Sequence, residues 1–195
     1  NDKTKLDEIC GKFLETAMDY YDIPGIAVGV SIGDEYEFTG AKGYRNYITK
    51  DPLKAEDIFH CASVSKVFTA MGIMKLVEEG KLKLSDKIVD FLPFLSIVDK
   101  RYNAVELRHM LSHISGLGDI LDYHWDTPSV HDEALMDFAT SDEVKATPML
   151  WEAGQGEFRY SNMAYEFLGL IVAQQTGKTY EQAMKDLFLK PAGMA

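Results

Sequence analysis

The segment FHCASVSKVFTA, residues 59–70, decides the fold because its pattern changes at Ser63. An extended apolar stretch leads into this serine, and apolar residues at helical spacing predict a helix from Ser63 to Glu79, with Gly80 as its stop. Residues three apart share one side of a helix, so Lys66 follows Ser63 by about one turn. The segment therefore predicts a serine hydroxyl and a lysine amine side by side at the start of a helix.

Ser63 and Lys66 together could form a nucleophilic site. A serine hydroxyl is a poor nucleophile at neutral pH and needs a nearby base, a role that an adjacent lysine can fill. The start of a helix also offers free amide donors and a positive dipole end to a developing oxyanion. The tetrapeptide S-x-x-K is common by chance, and a serine that opens a helix is usually only an N-cap. The extended segment before Ser63 and the apolar helix after it favour catalysis.

A second candidate feature is the triplet Tyr160-Ser161-Asn162, at the start of another predicted helix. A phenol beside a lysine can be driven toward phenolate and can then accept the proton of a serine. The Asn162 amide offers both a donor and an acceptor, so it could hold the lysine amine and a substrate carbonyl. The alternative is structural: Tyr160 as a half-buried aromatic of the core, and Ser161 or Asn162 as a helix cap.

The remaining periodicity predicts a helix and a β-hairpin, followed by a mostly helical block. The first helix covers residues 4–21, and the predicted strands are 26–32 and 35–43, with a short strand or an extended entry at 57–61. Further helices are predicted at 84–92, 105–112, 161–176 and 180–189. We therefore divide the chain into residues 1–62, which begin an antiparallel sheet, and residues 63–195, a helical region that carries both motifs.

The predicted sheet is too thin to stand alone. Two or three strands covered by one amphipathic helix leave an open edge and an uncovered face. We therefore expect an α+β fold whose sheet is incomplete in residues 1–195. A C-terminal segment, of the same or of a separate chain, would complete it, and residues 1–195 alone should be unstable or aggregated.

The composition predicts a folded domain with an acidic surface. Hydrophobic residues make up 46% of the chain and aromatic residues 11%, which is enough to fill a core. The net charge of −11 disfavours nucleic acid and anionic membrane surfaces as partners. Cys10 and Cys61 are too few for a disulfide framework and lack zinc spacing. Whether they pair stays open, but Cys61 lies in an apolar run and is expected to be a buried free thiol.

Five segments together resemble the serine beta-lactamase-like, penicillin-binding protein family, in its class C beta-lactamase, D-alanyl-D-alanine carboxypeptidase and esterase type. Residues 59–70 resemble the nucleophile segment of that family. The other four are LRHMLSHISGL (107–117), GEFRYSNMAYEFLG (156–169), IPGIAVGV (23–30) and PAGM (191–194). They are similar to the family's RHLLSHTSGL segment, its Y-x-N segment, its first strand and its PLGM segment. The agreement is collinear from about residue 5 to the end of the chain.

The resemblance implies a beta-lactamase/transpeptidase-like fold, an antiparallel sheet with flanking helices plus a helical region, with the site between them. It implies that Ser63 is the acylated nucleophile, Lys66 its partner, Tyr160 the general base and later acid, and Asn162 a ligand of substrate and lysine. The implied reaction is hydrolysis of an amide or ester bond, in a beta-lactam, a D-alanyl peptide or a small ester. The Ser63 amide and a second amide on a later strand would form the oxyanion hole. The family's third motif, K-T-G or H-x-G, does not occur in residues 1–195, and the expected C-terminal segment should carry it.

Three alternatives remain beside this interpretation. A non-catalytic ligand-binding or sensor protein could keep the same fold, although it would not need all four site residues. His109 and His113 have the spacing of a helical zinc pair but lack the glutamate of H-E-x-x-H, so we expect a structural turn and no metal. A Ser-His-Asp hydrolase lacks its G-x-S-x-G motif.

The expected partners are few. We expect a small-molecule or peptide substrate, no cofactor, no nucleic acid and no membrane span, because no apolar window of about 18 residues occurs. No signal peptide is visible and the chain begins with Asn1 rather than Met. The compartment therefore stays open, with a periplasmic or secreted location favoured over the cytoplasm.

Overall fold

The computed structural model describes residues 2–127 and 130–194, and the chain divides after His60 into two units. The first unit contains helix α1 (Asp2–Tyr21) and strands β1 (Gly25–Ile32), β2 (Tyr36–Asn46) and β3 (Asp51–Pro52). The strands form an antiparallel sheet in the order β1-β2-β3. Whether 1–62 and 63–195 act as the two functional regions stays a prediction.

The hairpin β1–β2 follows the sequence prediction closely. Its register pairs Gly25 with Gly43 at one end and Ile32 with Tyr36 at the other. Of the two alternatives for residues 57–61, the strand is wrong, since the third strand, β3, precedes them. A strand of two residues is too short to produce a periodic signal, which explains why the sequence did not indicate β3.

Helix α1 packs against β1 and β2 within this unit. Leu14 and Ala17 of the helix and Tyr36 of the sheet are buried. The Tyr36 hydroxyl donates a hydrogen bond of 2.9 Å to Asp7 Oδ1, which ties the first turns of the helix to the sheet. The predicted helix of residues 4–21 is therefore confirmed. Leu14 and Ala17 face the hairpin, whereas Ile9 and Phe13 on its predicted apolar side are more than half exposed.

The second unit is helical, as predicted. Its α-helices are α2 (Ser65–Glu78), α3 (Ile88–Phe91), α4 (Leu107–Leu111), α5 (Ala134–Ala139), α6 (Asp142–Ala146), α7 (Asn162–Thr176) and α8 (Tyr180–Met184). Two 3-10 turns, Ala62–Val64 and Lys100–Ala104, and a π-helical turn, Lys185–Leu189, complete it. None of the helices in the described ranges is long and apolar enough to cross a membrane.

Helix α7 lies at the centre of this unit. It packs against α2, α4, α5 and α8, and it is buried because apolar side chains occupy most of its circumference. Fully buried side chains on it are Met163, Ala164, Phe167, Leu168, Ile171 and Val172. Its C-terminal cap is Gly177, whose φ of 66° is the left-handed conformation in which glycine is favoured. The predicted helix 161–176 is thus confirmed to within one residue.

Close packing fixes α2 against α7. A Cβ atom at Gly72 of α2 would lie 3.2 Å from Cγ2 of Val172 and 2.8 Å from Cε of Met184, so the helices approach where a side chain is missing. Thr69 Oγ1 and the Tyr180 hydroxyl are 2.7 Å apart and join α2 to α8. These contacts set the position of the first turn of α2 relative to α7.

Several predicted helix boundaries are wrong by a few residues. The helix predicted from Ser63 begins at Ser65, because the chain first makes the 3-10 turn Ala62–Val64. The predicted helices 84–92 and 105–112 are shorter, at Ile88–Phe91 and Leu107–Leu111. The predicted helix 180–189 changes to a π-helical turn after Met184. The helices predicted at 84–92 and 105–112 begin late because Lys87 and Glu106 are extended and pair with each other in an antiparallel bridge.

Replacing Leu168 by alanine should destabilise the protein strongly. The side chain is fully buried on α7, and such a truncation typically lowers the free energy of unfolding by about 2–5 kcal/mol. The matched control is Leu121→Ala, since Leu121 is fully exposed and its loss should change that energy by less than about 0.5 kcal/mol. Urea unfolding of the full-length gene product measures both, and equal effects would contradict a core centred on α7.

Candidate active site

The 3-10 turn before α2 and the first turn of α2 bring Ser63 and Lys66 together. The Lys66 ammonium donates a hydrogen bond of 3.4 Å to Ser63 Oγ. Ser63 is exposed, while Lys66 is half-buried. Ala62, directly before the serine, has a φ of 44°, a left-handed conformation that costs a non-glycine residue of order 1 kcal/mol or more. The spacing thus brings the two groups together, although the serine lies in a 3-10 turn rather than in the helix.

The start of α7 completes the cluster. The Tyr160 hydroxyl donates to Ser63 Oγ at 2.6 Å, and Asn162 Oδ1 accepts from Lys66 Nζ at 2.7 Å. The Lys66 ammonium also lies 4.9 Å from the centroid of the Tyr160 ring. Tyr160 and Lys66 therefore meet at the oxygen of Ser63, and Asn162 joins the cluster through Lys66, across 96 or 97 positions of the chain.

The electrostatics of this cluster act on Tyr160. Partial burial alone would raise the pKa of its hydroxyl, but the nearby Lys66 charge and the hydrogen bond with Ser63 outweigh that effect, so the pKa lies below its ordinary value. The neighbouring Tyr165 shows the opposite direction, because burial and the proximity of Tyr160 raise its pKa. Of these two tyrosines, only Tyr160 is therefore prepared to lose its proton.

Between Tyr160 and Asn162 lies Ser161, which is only 1% exposed. Its amide donates to His113 Nδ1 at 3.2 Å. Its hydroxyl accepts from the amide of Ala164 at 3.1 Å and donates to the carbonyl of Gly118 at 3.4 Å. This serine caps α7, as the structural alternative proposed, and its fixed position aims the residues on either side at Ser63.

The imidazole ring of His113 packs against the ring of Tyr160. The two rings are 4.6 Å apart at a tilt of 30°, and the ring of Tyr165 lies 5.0 Å away on a similar tilt. Burial, followed by the charge of Lys66, lowers the pKa of His113. The neutral ring can therefore keep Nδ1 free to accept the amide hydrogen of Ser161. The sequence identified this histidine only as part of a turn.

The histidine pair does not have the geometry of a metal site. His109 Nδ1 accepts from the amide of Glu106 at 3.1 Å, just as His113 Nδ1 accepts from Ser161. Within residues 2–127 and 130–194, no cluster of three or more histidine, cysteine or acidic side chains could hold a metal ion. Both rings instead fix backbone amides.

Asp119 is the residue near the site that sequence reasoning missed. Its Oδ2 accepts from the amide of Asn162 at 3.0 Å and lies 3.5 Å from the Asn162 side-chain nitrogen. Its Oδ1 accepts from the amide of Met163 at 3.2 Å and from the hydroxyl of Tyr123. No local pattern marks this aspartate, because all these partners come from a distant helix or from the irregular segment that follows Gly118.

One expectation near the site is wrong. Cys61, expected to be buried, is exposed, and its sulfur lies 3.3 Å from Ser65 Oγ. The apolar residues around Cys61 do not form a strand, so the backbone does not direct one set of their side chains into a core. Both Cys10 and Cys61 are free thiols.

Comparison with known proteins agrees with this fold. The family model described as Beta-lactamase matches residues 11–195. Penicillin-binding protein 4* of Bacillus subtilis (strain 168) is 30% identical over 182 residues, which are 84% of this chain and 38% of that protein.

Two solved structures are also similar. The octameric penicillin-binding protein homologue from Pyrococcus abyssi has a TM-score of 0.74 and 31% identity, over 94% of this chain and 42% of that one. The D-amino acid amidase from Ochrobactrum anthropi SV3, in complex with D-phenylalanine, has a TM-score of 0.73 and 25% identity, over 93% of this chain and 48% of that one. The chain thus spans less than half the length of these relatives.

These similarities confirm the resemblance seen in the sequence. The structural matches extend over nearly the whole chain, which confirms the beta-lactamase/transpeptidase-like α+β fold. Because the family model covers all but the first ten residues, this chain belongs to the Beta-lactamase family.

Proposed function

We propose that the protein is a serine hydrolase that cleaves an amide or ester bond through an acyl-enzyme on Ser63. The observation that carries this proposal is the pair of donors on one oxygen: Ser63 Oγ accepts from the Tyr160 hydroxyl at 2.6 Å and from Lys66 Nζ at 3.4 Å. A serine held only as a helix cap would have no reason to meet both a lysine and a tyrosine with a lowered pKa.

The acylation step follows from the proximity of these groups. Once Tyr160 has lost its proton, the 2.6 Å contact reverses, and the Ser63 hydroxyl donates to the phenolate. Tyr160, as phenolate stabilised by the Lys66 ammonium, takes the proton of Ser63 while Oγ attacks the substrate carbonyl carbon. The amide of Ser63 is the donor available to the resulting oxyanion. When the tetrahedral adduct collapses, the bond to the leaving group breaks, and Tyr160 returns the proton to the leaving nitrogen or oxygen.

The same groups can complete the cycle by hydrolysing the acyl-enzyme. Tyr160, again a phenolate, takes a proton from water as the water oxygen attacks the acyl carbon. Collapse releases the carboxylic acid, and the proton returns through Tyr160 to Ser63 Oγ. Asn162, bonded to Lys66 at 2.7 Å, keeps the ammonium next to the phenol in each step and can offer its amide to the substrate.

Substrates with an activated or D-configured acyl group fit the proposal best. Candidates are beta-lactams, D-alanyl peptides and small esters. The names of the relatives support this range, since they include a penicillin-binding protein and a D-amino acid amidase. We further propose a periplasmic or secreted location, and a C-terminal segment that completes the sheet and supplies the second oxyanion amide.

Ser63→Ala in the full-length gene product should lower the rate of p-nitrophenyl acetate hydrolysis by roughly a thousandfold or more, because the covalent route is lost. Ser65→Ala is the matched control: it removes a hydroxyl two positions further on, which contacts Cys61 rather than the cluster, and should leave turnover unchanged. Near-wild-type turnover in Ser63→Ala would refute the proposal and favour a binding protein of the same fold.

Tyr160→Phe should slow turnover by about 100- to 10,000-fold with little change in melting temperature, because the ring stays and only the proton carrier is lost. In the wild type, kcat/KM should fall as pH falls through the pKa of Tyr160, since only the phenolate accepts a proton. That acid limb should lie below the ordinary tyrosine range. Stopped-flow rates measure this profile from about pH 5 up to about pH 10, which is the ordinary pKa of tyrosine.

The control for this experiment is Tyr165→Phe. Its hydroxyl donates to the carbonyl of Leu111 at 3.0 Å, and its pKa is raised rather than lowered. The substitution should reduce stability and leave the acid limb in place. A core role for Tyr160 would show as a large fall in melting temperature with unchanged activity per folded molecule.

A further inference from the structure

We propose that Asp119 is a positioning residue that orients the side-chain amide of Asn162, so that Asn162 Oδ1 faces the Lys66 ammonium. The inference rests on the proposed function and adds a group that touches neither the substrate nor Ser63. It assigns a role to a carboxylate that bonds directly to the start of α7, at Asn162 and Met163.

The carboxylate itself is held from two sides. Oδ2 accepts from the Asn162 amide at 3.0 Å, and Oδ1 accepts from the Met163 amide at 3.2 Å and from the Tyr123 hydroxyl. These are the first amides of α7, which have no partner inside the helix and which favour a negative charge. With both oxygens engaged, the side chain of Asp119 has a defined orientation although the residue is exposed.

This orientation decides which end of the Asn162 side chain can face Asp119. An ionised carboxylate only accepts hydrogen bonds, so the amide must turn its nitrogen toward it. Asn162 Nδ2 lies 3.5 Å from Asp119 Oδ2, and Oδ1 is consequently turned to Lys66 Nζ at 2.7 Å. The 3.5 Å contact is long, but it still favours this orientation. A flipped amide would place the Asn162 side-chain oxygen against a carboxylate oxygen of Asp119, and two acceptors repel each other.

A flipped Asn162 side chain would also disturb the surroundings of the nucleophile Ser63. Its NH₂ group would face the Lys66 ammonium, and two donors cannot bond to one another. The ammonium would lose its acceptor at 2.7 Å and with it the contact that holds it beside Tyr160 and Ser63. The charge of Asp119 also raises the pKa of Tyr160, but less than the contacts with Lys66 and Ser63 lower it. The main effect of Asp119 on catalysis therefore passes through Asn162, and this dependence separates it from a residue that merely stabilises the fold.

The test is a double-mutant cycle in the full-length gene product, with p-nitrophenyl acetate as the probe. Asp119→Asn keeps the shape, but one of its two ends now donates, so it cannot accept on both sides. We expect kcat/KM to fall about tenfold or more, the typical effect of losing a hydrogen bond to a charged group. In an Asn162→Ala background, the same substitution should change kcat/KM less than about twofold, because the amide it positions is gone.

The matched control is Asp122→Asn, which removes the same charge three residues further on. Asp122 accepts from the amide of His124 and has no contact with α7 among the described residues, so the rate should stay unchanged. An equal loss from Asp119→Asn in both backgrounds, or no loss in either, would overturn the inference. If Asp119→Asn does not fold, Asp119→Glu takes its place in the cycle, with a smaller loss that must likewise vanish without Asn162.

The Ser63→Ala variant in the same assay separates the two levels of the account. Full hydrolysis without Ser63 overturns the proposed function and, with it, the role of Asp119. Hydrolysis that depends on Ser63 but is insensitive to Asp119→Asn overturns the role of Asp119 alone.

Discussion

The start of helix α7 depends on Ser161, whose amide and hydroxyl are both bonded inside the protein. The amide is held by His113, while the hydroxyl caps the helix at Ala164 and reaches Gly118. A residue that is 1% exposed and bonded in three directions cannot shift without leaving buried polar groups unpaired. Its two neighbours therefore project from a fixed point. The Tyr160 phenol reaches Ser63 in the 3-10 turn before α2, and the Asn162 amide reaches Lys66 in the first turn of α2.

The close approach of α2 and α7 brings the residues at the start of α7 into contact with Ser63 and Lys66. Because Gly72 lets the helices meet, the Lys66 ammonium lies within hydrogen-bond distance of both Asn162 and Ser63. One positive charge then lowers the pKa of Tyr160 against the effect of burial. In the proposed mechanism, the same charge stays bound beside the serine while protons move. The carboxylate of Asp119 lies on the other side of Asn162, so the amide separates the two charges and is oriented by both.

The sequence predicted α7 and the four clustered residues because their signals are local. A cap serine, a buried apolar helix and a terminal Gly177 are adjacent in the chain, and the motif residues lie beside helix starts. The roles of His113 and Asp119 could not be predicted in this way, because their bonds to Ser161 and Asn162 join residues 48 and 43 positions apart. The 3-10 turn at Ser63 was missed for a different reason: helical spacing does not distinguish a tight turn from the first turn of an α-helix.

The most direct measurement is to locate the covalent adduct. The full-length gene product is treated with a fluorophosphonate, digested, and its peptides are sequenced by mass spectrometry. The account predicts a single phosphonylated residue, Ser63, and a reaction that slows as pH falls through the pKa of Tyr160. An adduct on Ser112, Ser115 or another serine, or a folded protein that forms no adduct at any pH, would contradict it.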